Sequence, residues 1–160
     1  MTKRPERILA NLPSDWGEGY PNVWLGVSVE SNNEKHRIET LSKVPAQYRF
    51  ISVEPLIGEL DLSDLKDVLK QTYHWIILGG ESGNKTGKHR YRECELEWFS
   101  ELIKISNMTD VKVFVKQLGT HLASVLKLKD RHGGNIDEFP DEFKIRDFPI
   151  NMDGFTLTKN

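Results

Sequence analysis

Three glutamates occupy equivalent positions in the sequence, because each lies just past the end of an apolar run typical of a β-strand. They are Glu30, Glu54 and Glu81. A carboxylate that is partly desolvated in a cleft can take a raised pKa and act as a base, or it can bind a cationic group of a substrate. We therefore treat Glu54 and Glu81 as candidate catalytic residues and Glu30 as a candidate cofactor-binding residue. The alternative is that all three are solvated loop carboxylates paired with Arg49 or Lys116.

A glycine-rich segment, Gly79-Gly80-Glu81-Ser82-Gly83, directly follows the third apolar run. Glycines let backbone N–H groups approach a phosphate or a carboxylate, and Glu81 could bind a ribose hydroxyl or an amine. On this interpretation Gly79, Gly80 and Ser82 bind a cofactor. The alternative is a tight turn that needs a positive φ. The spacing matches neither a P-loop nor a dinucleotide-binding fingerprint, so it does not identify the ligand.

Polar residues also end the first and fourth apolar runs. Ser28 follows VWLGV, and it is either a cofactor-binding residue or a small residue tolerated for packing. Lys116 and Gln117 follow Val111–Val115. A lysine at the end of an apolar strand is costly unless it faces the mouth of a site or pairs with a glutamate. We therefore predict that Lys116 contacts an anion as a third catalytic residue and that Gln117 contacts substrate. The alternative for Lys116 is an ion pair with one of the glutamates.

Lys88 and Arg90 belong to the concentrated basic stretch of the chain, NKTGKHRYR at positions 84–92. As substrate-binding residues they would contact phosphate or a nucleic-acid backbone. A solvated loop explains the same pattern. The net charge of -2 argues against strong nonspecific binding to a polyanion, so nucleic acid is a possible partner but not the favoured one.

His132 precedes a Gly-Gly turn at positions 133–134. It is a candidate substrate-binding residue that could act as a general acid or base, although a hydrogen-bonded turn histidine is the favoured alternative. His36, His74 and His121 show no ligand spacing with one another, so we assign no metal ligand.

Helix-compatible segments separate the apolar runs, and this alternation predicts parallel βα units. The predicted strands are Val23–Val29, Tyr48–Val53, His74–Leu78 and Val111–Val115, and the predicted helices are Pro5–Leu12, one from Asn32 or Asn33 to near Val44, a short one capped by Ser63, about Glu93–Ser106, and His121–Leu128. The carboxyl ends of parallel strands meet at one edge of the sheet, where α/β proteins bind ligands. The predicted fold is α/β, with parallel βα repeats that form a partial (half) TIM-like barrel or an open parallel sheet. We predict a single α/β domain over residues 1–160, with the repeats in 1–119 and an irregular C-terminal extension in 120–160.

The composition is that of an ordinary globular protein. The chain has 160 residues, of which 38% are hydrophobic and 29% are charged, and this length is enough for one sizeable core. Cys94 is the single cysteine, which fits a reducing compartment. No apolar stretch approaches the roughly 20 residues of a membrane span, and the N-terminus is too charged for a signal peptide. These features predict a cytoplasmic protein with no membrane partner.

Several motifs, taken in their order and spacing, resemble the phage-type Gp37/Gp68 family from Thr2 to Pro149. They are TKRPE at 2–6, VWLGVSVE at 23–30, RFISVEPLIG at 49–58, WIILGGESG at 75–83, KQLG at 116–119 and DRHGG at 130–134. Members of that family have no assigned function. Full-length members look like radical S-adenosylmethionine barrels whose N-terminal part carries a cysteine cluster for an iron–sulfur centre. The resemblance implies a barrel-type fold, the bacterial host cytoplasm, and S-adenosylmethionine as a possible cofactor.

The resemblance covers about the second half of the family's pattern, so the cluster-bearing half is expected to be missing. A [4Fe–4S] cluster needs several thiolates, and Cys94 alone cannot hold one. We expect this chain alone to bind no cofactor and to run radical chemistry only with a complementing N-terminal half chain. A half barrel would also expose two strand edges. The C-terminal tail, a second copy in a homodimer, or the complementing chain could protect them, and we favour the homodimer.

The leading hypothesis from the sequence is a phage or prophage α/β domain derived from such a barrel. It would bind a small anionic or nucleotide-like ligand at the carboxyl ends of its strands, without being catalytically competent alone. The alternative is a non-catalytic protein- or nucleic-acid-binding module that acts in phage–host interaction. A third possibility is a truncated remnant without activity.

Overall fold

The computed structural model describes residues 1–149, and within them four strands form one sheet. The strands are β1 (Trp24–Ser28), β2 (Tyr48–Val53), β3 (Trp75–Gly79) and β4 (Lys112–Gln117). They lie side by side in chain order, and each neighbouring pair is parallel. This confirms the predicted α/β class with parallel βα units.

Each strand is followed by a helix. The helices are α1 (His36–Ser42), α2 (Lys66–Thr72), α3 (Leu96–Thr109) and α4 (Gly119–Val125), with 3₁₀ turns at Pro5–Arg7, Leu9–Asn11, Asn32–Glu34, Ser63–Leu65, Ile136–Glu138 and Asp141–Phe143. In α3 the buried residues Phe99, Leu102 and Ile105 recur with helical spacing. The helix stops at Asp110, which takes a left-handed φ of 56°. None of the helices in the described part of the chain is long and apolar enough to cross a membrane.

Helices α1, α2 and α3 cover the same face of the sheet. Crossovers between parallel strands are right-handed, so strands that follow one another in order place all their helices on one side. The observed contacts agree, because α1 touches β1, α2 touches both α1 and α3, and α3 touches β4. The strand side chains on this face are buried, among them Val27, Ile51, Ile76 and Val113.

The opposite face of the sheet carries a row of aromatic rings, and we call it the aromatic face. Its rings are those of Trp24, Tyr48, Phe50, Trp75 and Phe114, all of them half-buried. Trp24 and Tyr48 stack with 4.7 Å between ring centroids, and Trp75 meets Phe114 edge to face at 5.9 Å. Phe148 lies against Trp75 and Phe114. This face is therefore lined by aromatic rings and not by α1–α3.

Other parts of the chain pair with both edges of the sheet. Outside β1, Thr2 donates its N–H to the Gly26 carbonyl and accepts a hydrogen bond from the Ser28 N–H. Outside β4, residues 145–147 run antiparallel to the strand and form backbone hydrogen bonds with it. Unpaired strand edges invite association with other chains. The structure therefore shows partial protection of both edges, where the sequence predicted two exposed ones.

The chain after α4 contributes side chains to the same hydrophobic core as the sheet. Phe139 is 3% exposed and Phe143 is fully buried. The ring of Phe143 meets that of Phe99 on α3 edge to face, with 6.0 Å between centroids. This part of the predicted C-terminal extension is packed onto the repeats, and residues 150–160 of that extension lie outside the described part.

Some predicted helix boundaries are wrong. The segment Pro5–Leu12 forms a pair of 3₁₀ turns, because Leu12 is extended (ψ 148°) immediately before Pro13, a residue that disfavours helix in its predecessor. The first turn after β1 is capped by the Ser31 hydroxyl, which accepts a hydrogen bond from the Asn33 N–H. The Ser63 side chain makes no cap hydrogen bond, although a 3₁₀ turn begins there.

Candidate functional site

Polar side chains occupy the carboxyl end of the aromatic face. Ser28 and Ser52 are register partners on β1 and β2. Glu30 and Glu54 each follow two residues after these serines, just beyond the ends of β1 and β2. Lys116 reaches the same place from β4, since its ammonium contacts Glu54. Along this face, aromatic rings therefore give way to hydroxyls, carboxylates and a lysine.

Glu54 and Lys116 form an ion pair that crosses the sheet above β3. Lys116 Nζ lies 3.0 Å from Glu54 Oε1, and the two side chains are 56% and 22% exposed. Gly79 of β3 lies beneath, and a Cβ at this position would be only 2.7 Å from Glu54 Oε1. Gly79 therefore lacks a side chain where the carboxylate must pass. The pair is the alternative that the sequence left open for Lys116, and an ammonium that is half exposed still has further N–H donors for an anion.

Glu30 is the most buried of the three predicted glutamates, with 6% of its surface exposed. Its Oε2 accepts a hydrogen bond from Arg37 Nη1 on α1 at 3.0 Å, and the Lys3 ammonium contacts Oε1. The same Arg37 Nη1 donates to the Ser28 carbonyl at 2.8 Å. Burying a lone carboxylate is costly, and the contacts with Arg37 and Lys3 offset that cost for Glu30.

Arg49 does not pair with any of these carboxylates in the described chain. Its guanidinium donates to the carbonyl oxygens of Val44 and Thr72, at the amino end of β2. The alternative in which one of the three glutamates pairs with Arg49 is therefore wrong. Arg49 lies at the amino end of β2, whereas the glutamates lie beyond the carboxyl ends of the strands.

The glycine-rich segment after β3 is fixed to the segment after β4. The Gly80 N–H donates to the Gln117 carbonyl, and the Gln117 amide donates to the Gly80 carbonyl and to the Ser82 hydroxyl, each at 2.8 Å. A Cβ at Gly80 would lie 2.1 Å from the Leu118 carbonyl oxygen. Neither Gly79 nor Gly80 has a positive φ. The alternative of a positive-φ turn is therefore wrong at these two glycines, and at Gly80 the close approach of two backbones is what excludes a side chain.

Glu81 is bound by Arg92, a residue of the basic stretch. Its Oε2 accepts hydrogen bonds from the Arg92 backbone N–H at 2.7 Å and from Nε at 2.9 Å, and its Oε1 accepts one from Nη2 at 2.5 Å. The hydrogen bonds from the Arg92 side chain hold the pKa of the Glu81 carboxyl below its usual range. Because both of its oxygens accept hydrogen bonds from Arg92, the ionised Glu81 side chain holds the basic stretch in place.

We expect Arg92→Ala to lower stability at neutral pH and to have a much smaller effect in acid. The folded pKa of Glu81 is depressed, so its ion pair contributes stability above the unfolded pKa of about 4.3 and loses that contribution as the pH falls through the folded pKa. Urea unfolding of both proteins, near pH 7 and near pH 3, measures the difference. Lys88→Ala removes an exposed cation of the same loop and should leave the pH dependence unchanged. An Arg92→Ala effect of equal size at both pH values would contradict this linkage.

Lys88 and Arg90 lie in a small exposed loop that a backbone bridge between Asn84 and Arg90 closes. Arg90 also lines an open cavity of about 520 Å³ beside this loop. Glu93 and Glu95 line the same cavity, so carboxylates offset its positive charge. The structure places these two predicted substrate contacts in a different loop from the Glu54–Lys116 pair.

His132 lies in a hydrogen-bonded turn after α4. Its Nδ1 is 3.2 Å from the Thr120 hydroxyl, and its Nε2 accepts a hydrogen bond from Arg131 Nε at 2.9 Å. Asp130 accepts hydrogen bonds from the backbone N–H groups of His132 and Gly134, and these bonds lower the pKa of its carboxyl. This is the geometry of the favoured alternative, a histidine held by its turn.

Sequence reasoning missed the aromatic face. Five aromatic residues occupy alternate positions in the amino halves of the strands. The signal was present in β2, where Tyr48, Phe50 and Ser52 alternate with Ile51 and Val53. Comparing these alternate positions across all four strands would have predicted that the aromatic rings and the polar residues at the carboxyl ends of the strands share one surface.

The donor atoms of this chain do not fit an iron–sulfur cluster. Cys94 is the single cysteine, and burial raises the pKa of its thiol to about 12, so it is protonated at neutral pH. Among residues 1–149, no group of three or more His, Cys, Asp and Glu side chains is arranged to hold a metal ion.

The fold and the polar residues at the carboxyl ends of its strands define a βα-repeat α/β protein with a candidate ligand site at that end of the parallel sheet. The family model described as "Protein of unknown function (DUF5131)" matches residues 1–142. The chain therefore belongs to this family, which is the Gp37/Gp68-type phage family that its motifs resemble. No curated protein and no solved structure matches the chain.

Proposed function

We propose that this domain binds a small nucleotide-like anion on its aromatic face, with the anionic group of the ligand at Lys116. The observation that supports the proposal is the change of chemistry along that face, from aromatic rings at the amino ends of the strands to Ser28, Ser52 and the Glu54–Lys116 pair at their carboxyl ends. A nucleotide has the same division, because a flat apolar ring is joined through a polar sugar to a charged group.

The aromatic rings supply a stacking surface for the base. Phe50 lies across β1, since a Cβ at Gly26 would be 2.3 Å from its ring, and Trp75 lies 6.4 Å from Phe50 between centroids. Aromatic pairs in offset or edge-to-face geometry gain roughly 0.5–1.5 kcal/mol beyond the area that they bury. A base inserted beside Trp75 would therefore gain both burial and stacking.

Lys116 supplies the charge for the anionic end. Its ammonium is held over the sheet by Glu54, and only one of its three N–H donors is needed for that contact. Glu54 therefore positions the lysine, and Ser52 donates to Glu54 Oε2 at 3.4 Å and helps to fix it. The proposal assigns these residues to binding and not to a chemical step.

The basic loop is a weaker candidate for recognition. Arg92 is neutralised by Glu81, and Glu93 and Glu95 lie beside Arg90. A nucleic-acid backbone requires several uncompensated cations along its path. These observations favour a small ligand on the aromatic face over a polyanion on the loop.

We expect Lys116→Met to weaken nucleotide-like ligand binding by at least about tenfold, because one charge-assisted hydrogen bond contributes about 1.5–3 kcal/mol. Titration calorimetry with ATP, GTP and S-adenosylmethionine measures the affinity of each. Lys104→Met is the matched control, since Lys104 also contacts a glutamate (Glu101) but lies on α3, on the opposite side of the sheet. This control variant should bind as the wild type does.

A second measurement tests the position of the ring. Ligand binding should quench tryptophan fluorescence, and Trp75→Phe should remove most of the quench. If millimolar ATP, GTP and S-adenosylmethionine all fail to raise the melting temperature of the wild-type protein, the proposal is wrong, because a ligand specific for the native state must stabilise it. Equal losses of affinity in the two lysine variants would overturn the assignment to Lys116.

A further inference from the structure

An open groove of about 600 Å³ lies on the helix-covered side of the protein, between the segment 59–66 and α3. Its apolar lining includes Leu60, Leu62 and Ile105, which belong to the core, together with Trp98 and Met108. Trp98 is half-buried, and Met108 is 56% exposed. The groove is thus an apolar surface that continues the core outward, on the opposite side of the sheet from the proposed ligand site.

The walls of this groove are acidic. Glu59 and Asp61 line one side, and Glu97 and Glu101 line the other. Among the described residues, two lysines also line it, and one of these, Lys104, lies 3.6 Å from Glu101. Four carboxylates against two ammonium groups leave the groove with an excess of negative charge.

Part of this charge arrangement is unfavourable for the isolated domain. Glu97 and Glu101 are one helical turn apart on the same face of α3, and like charges at that spacing destabilise a helix. Across the groove, Asp61 accepts a hydrogen bond from the Ser63 N–H at 2.8 Å, and this bond lowers the pKa of its carboxyl and keeps it ionised. A cationic partner in the groove would relieve the repulsion that the chain itself leaves.

We propose that this groove binds a basic amphipathic segment of another protein, with apolar side chains on Trp98 and Met108 and lysines or arginines against the carboxylates. Trp98 and Met108 are ten residues apart on α3, which corresponds to about 15 Å or nearly three helical turns. The charge of the groove decides between classes of partner, because its carboxylates would repel a phosphate backbone or an anionic membrane. This surface acts independently of the ligand site on the aromatic face.

The two large apolar residues fit an anchoring role. Tryptophan is enriched among the residues that dominate binding energy in protein interfaces. Methionine is unbranched and polarisable, so it adapts to the shape of a partner side chain, and it recurs on surfaces that accept amphipathic helices. The carboxylates around them would set the orientation of the segment and its preference for basic sequences.

The test uses a helical 14-residue peptide of leucine and lysine, with leucines along one face, as the probe. We expect it to bind the full chain in fluorescence anisotropy and to bind a Glu97→Lys/Glu101→Lys variant at least tenfold more weakly. A Glu6→Lys/Glu39→Lys variant has the same change of net charge at exposed sites away from the groove, and it should bind as the wild type does. Met108→Ser should weaken binding, whereas Val125→Ser, at an exposed valine of α4, should not.

Three outcomes would overturn the proposal. One is binding of a leucine–glutamate peptide as tight as that of the lysine peptide. Another is an equal loss in the two charge-reversal variants, which would reduce the effect to net charge. The third is competition by single-stranded DNA at the groove, seen as displacement of the peptide from the wild type and not from the groove variant.

Discussion

Phe143→Ala is expected to lower the free energy of unfolding by about 3–5 kcal/mol, the range typical of a phenylalanine removed from a closed core. The side chain is fully buried and packs edge to face on Phe99 of α3. Its loss leaves a cavity between α3 and the chain that follows α4, a place where the surrounding backbone is held at β4 by residues 145–147 and cannot easily collapse. Urea unfolding monitored by circular dichroism measures the change.

Phe148→Ala is the matched control, because the same ring is removed from the same segment at a site that is 51% exposed. We expect a loss of about 1 kcal/mol or less there, since half of the apolar surface is already in water. If Phe143→Ala costs no more than Phe148→Ala, the segment after α4 is a peripheral extension and the single core described above is wrong.

Gly80→Ala is expected to destabilise the protein by about 3 kcal/mol, at the upper end of the range for overpacking. The new Cβ would lie 2.1 Å from the Leu118 carbonyl oxygen and 2.7 Å from its carbon, and both atoms belong to backbone. Relief requires the segments after β3 and β4 to move apart, which breaks the hydrogen bonds that Gln117 makes across the gap. The urea midpoint measures the loss.

Gly58→Ala provides a matched glycine substitution. A Cβ there would meet the Ser31 Cβ at 3.1 Å, a much milder overlap that a backbone shift of a few tenths of an ångström relieves, so we expect a change below about 1 kcal/mol. A comparable small loss at Gly80 would show that the two segments move apart freely. The hydrogen bonds that join the segments after β3 and β4 would then not hold them at a fixed spacing.

The sequence was most informative where structure depends on local patterns. The segment Tyr48–Val53 was predicted with the bounds that β2 has, because a short run rich in aromatic and β-branched residues, bounded by turn residues, is typical of a strand. The start of α3 was predicted too early. Cys94 is buried and its N–H lies 3.2 Å from His121 Nδ1, so the chain stays extended through Glu95 before the helix begins. That contact joins residues far apart in sequence, and no local pattern reports it.

In the candidate site, too, local patterns were predictable and contacts between distant residues were not. That Glu54 and Lys116 would lie at one edge followed from the parallel βα pattern, but their pairing depends on the register of β2, β3 and β4 and on the missing side chain at Gly79. The sequence shows a glycine at position 80 but does not show why a side chain is excluded there. Local sequence reasoning suggested that Gly80 needs a positive φ. The constraint is instead the backbone of Leu118, 38 residues later in the chain, which lies directly against it.

The antiparallel segment along β4 has a consequence for assembly. Molecules that join strand to strand in an endless row need a free donor edge and a free acceptor edge on every copy. Residues 145–147 satisfy the outward backbone groups of Val113 and Val115, and at the other margin Thr2 does the same for Gly26 and Ser28. Growth from strand to strand through the sheet is therefore opposed at both margins, at the backbone groups that Thr2 and residues 145–147 already occupy.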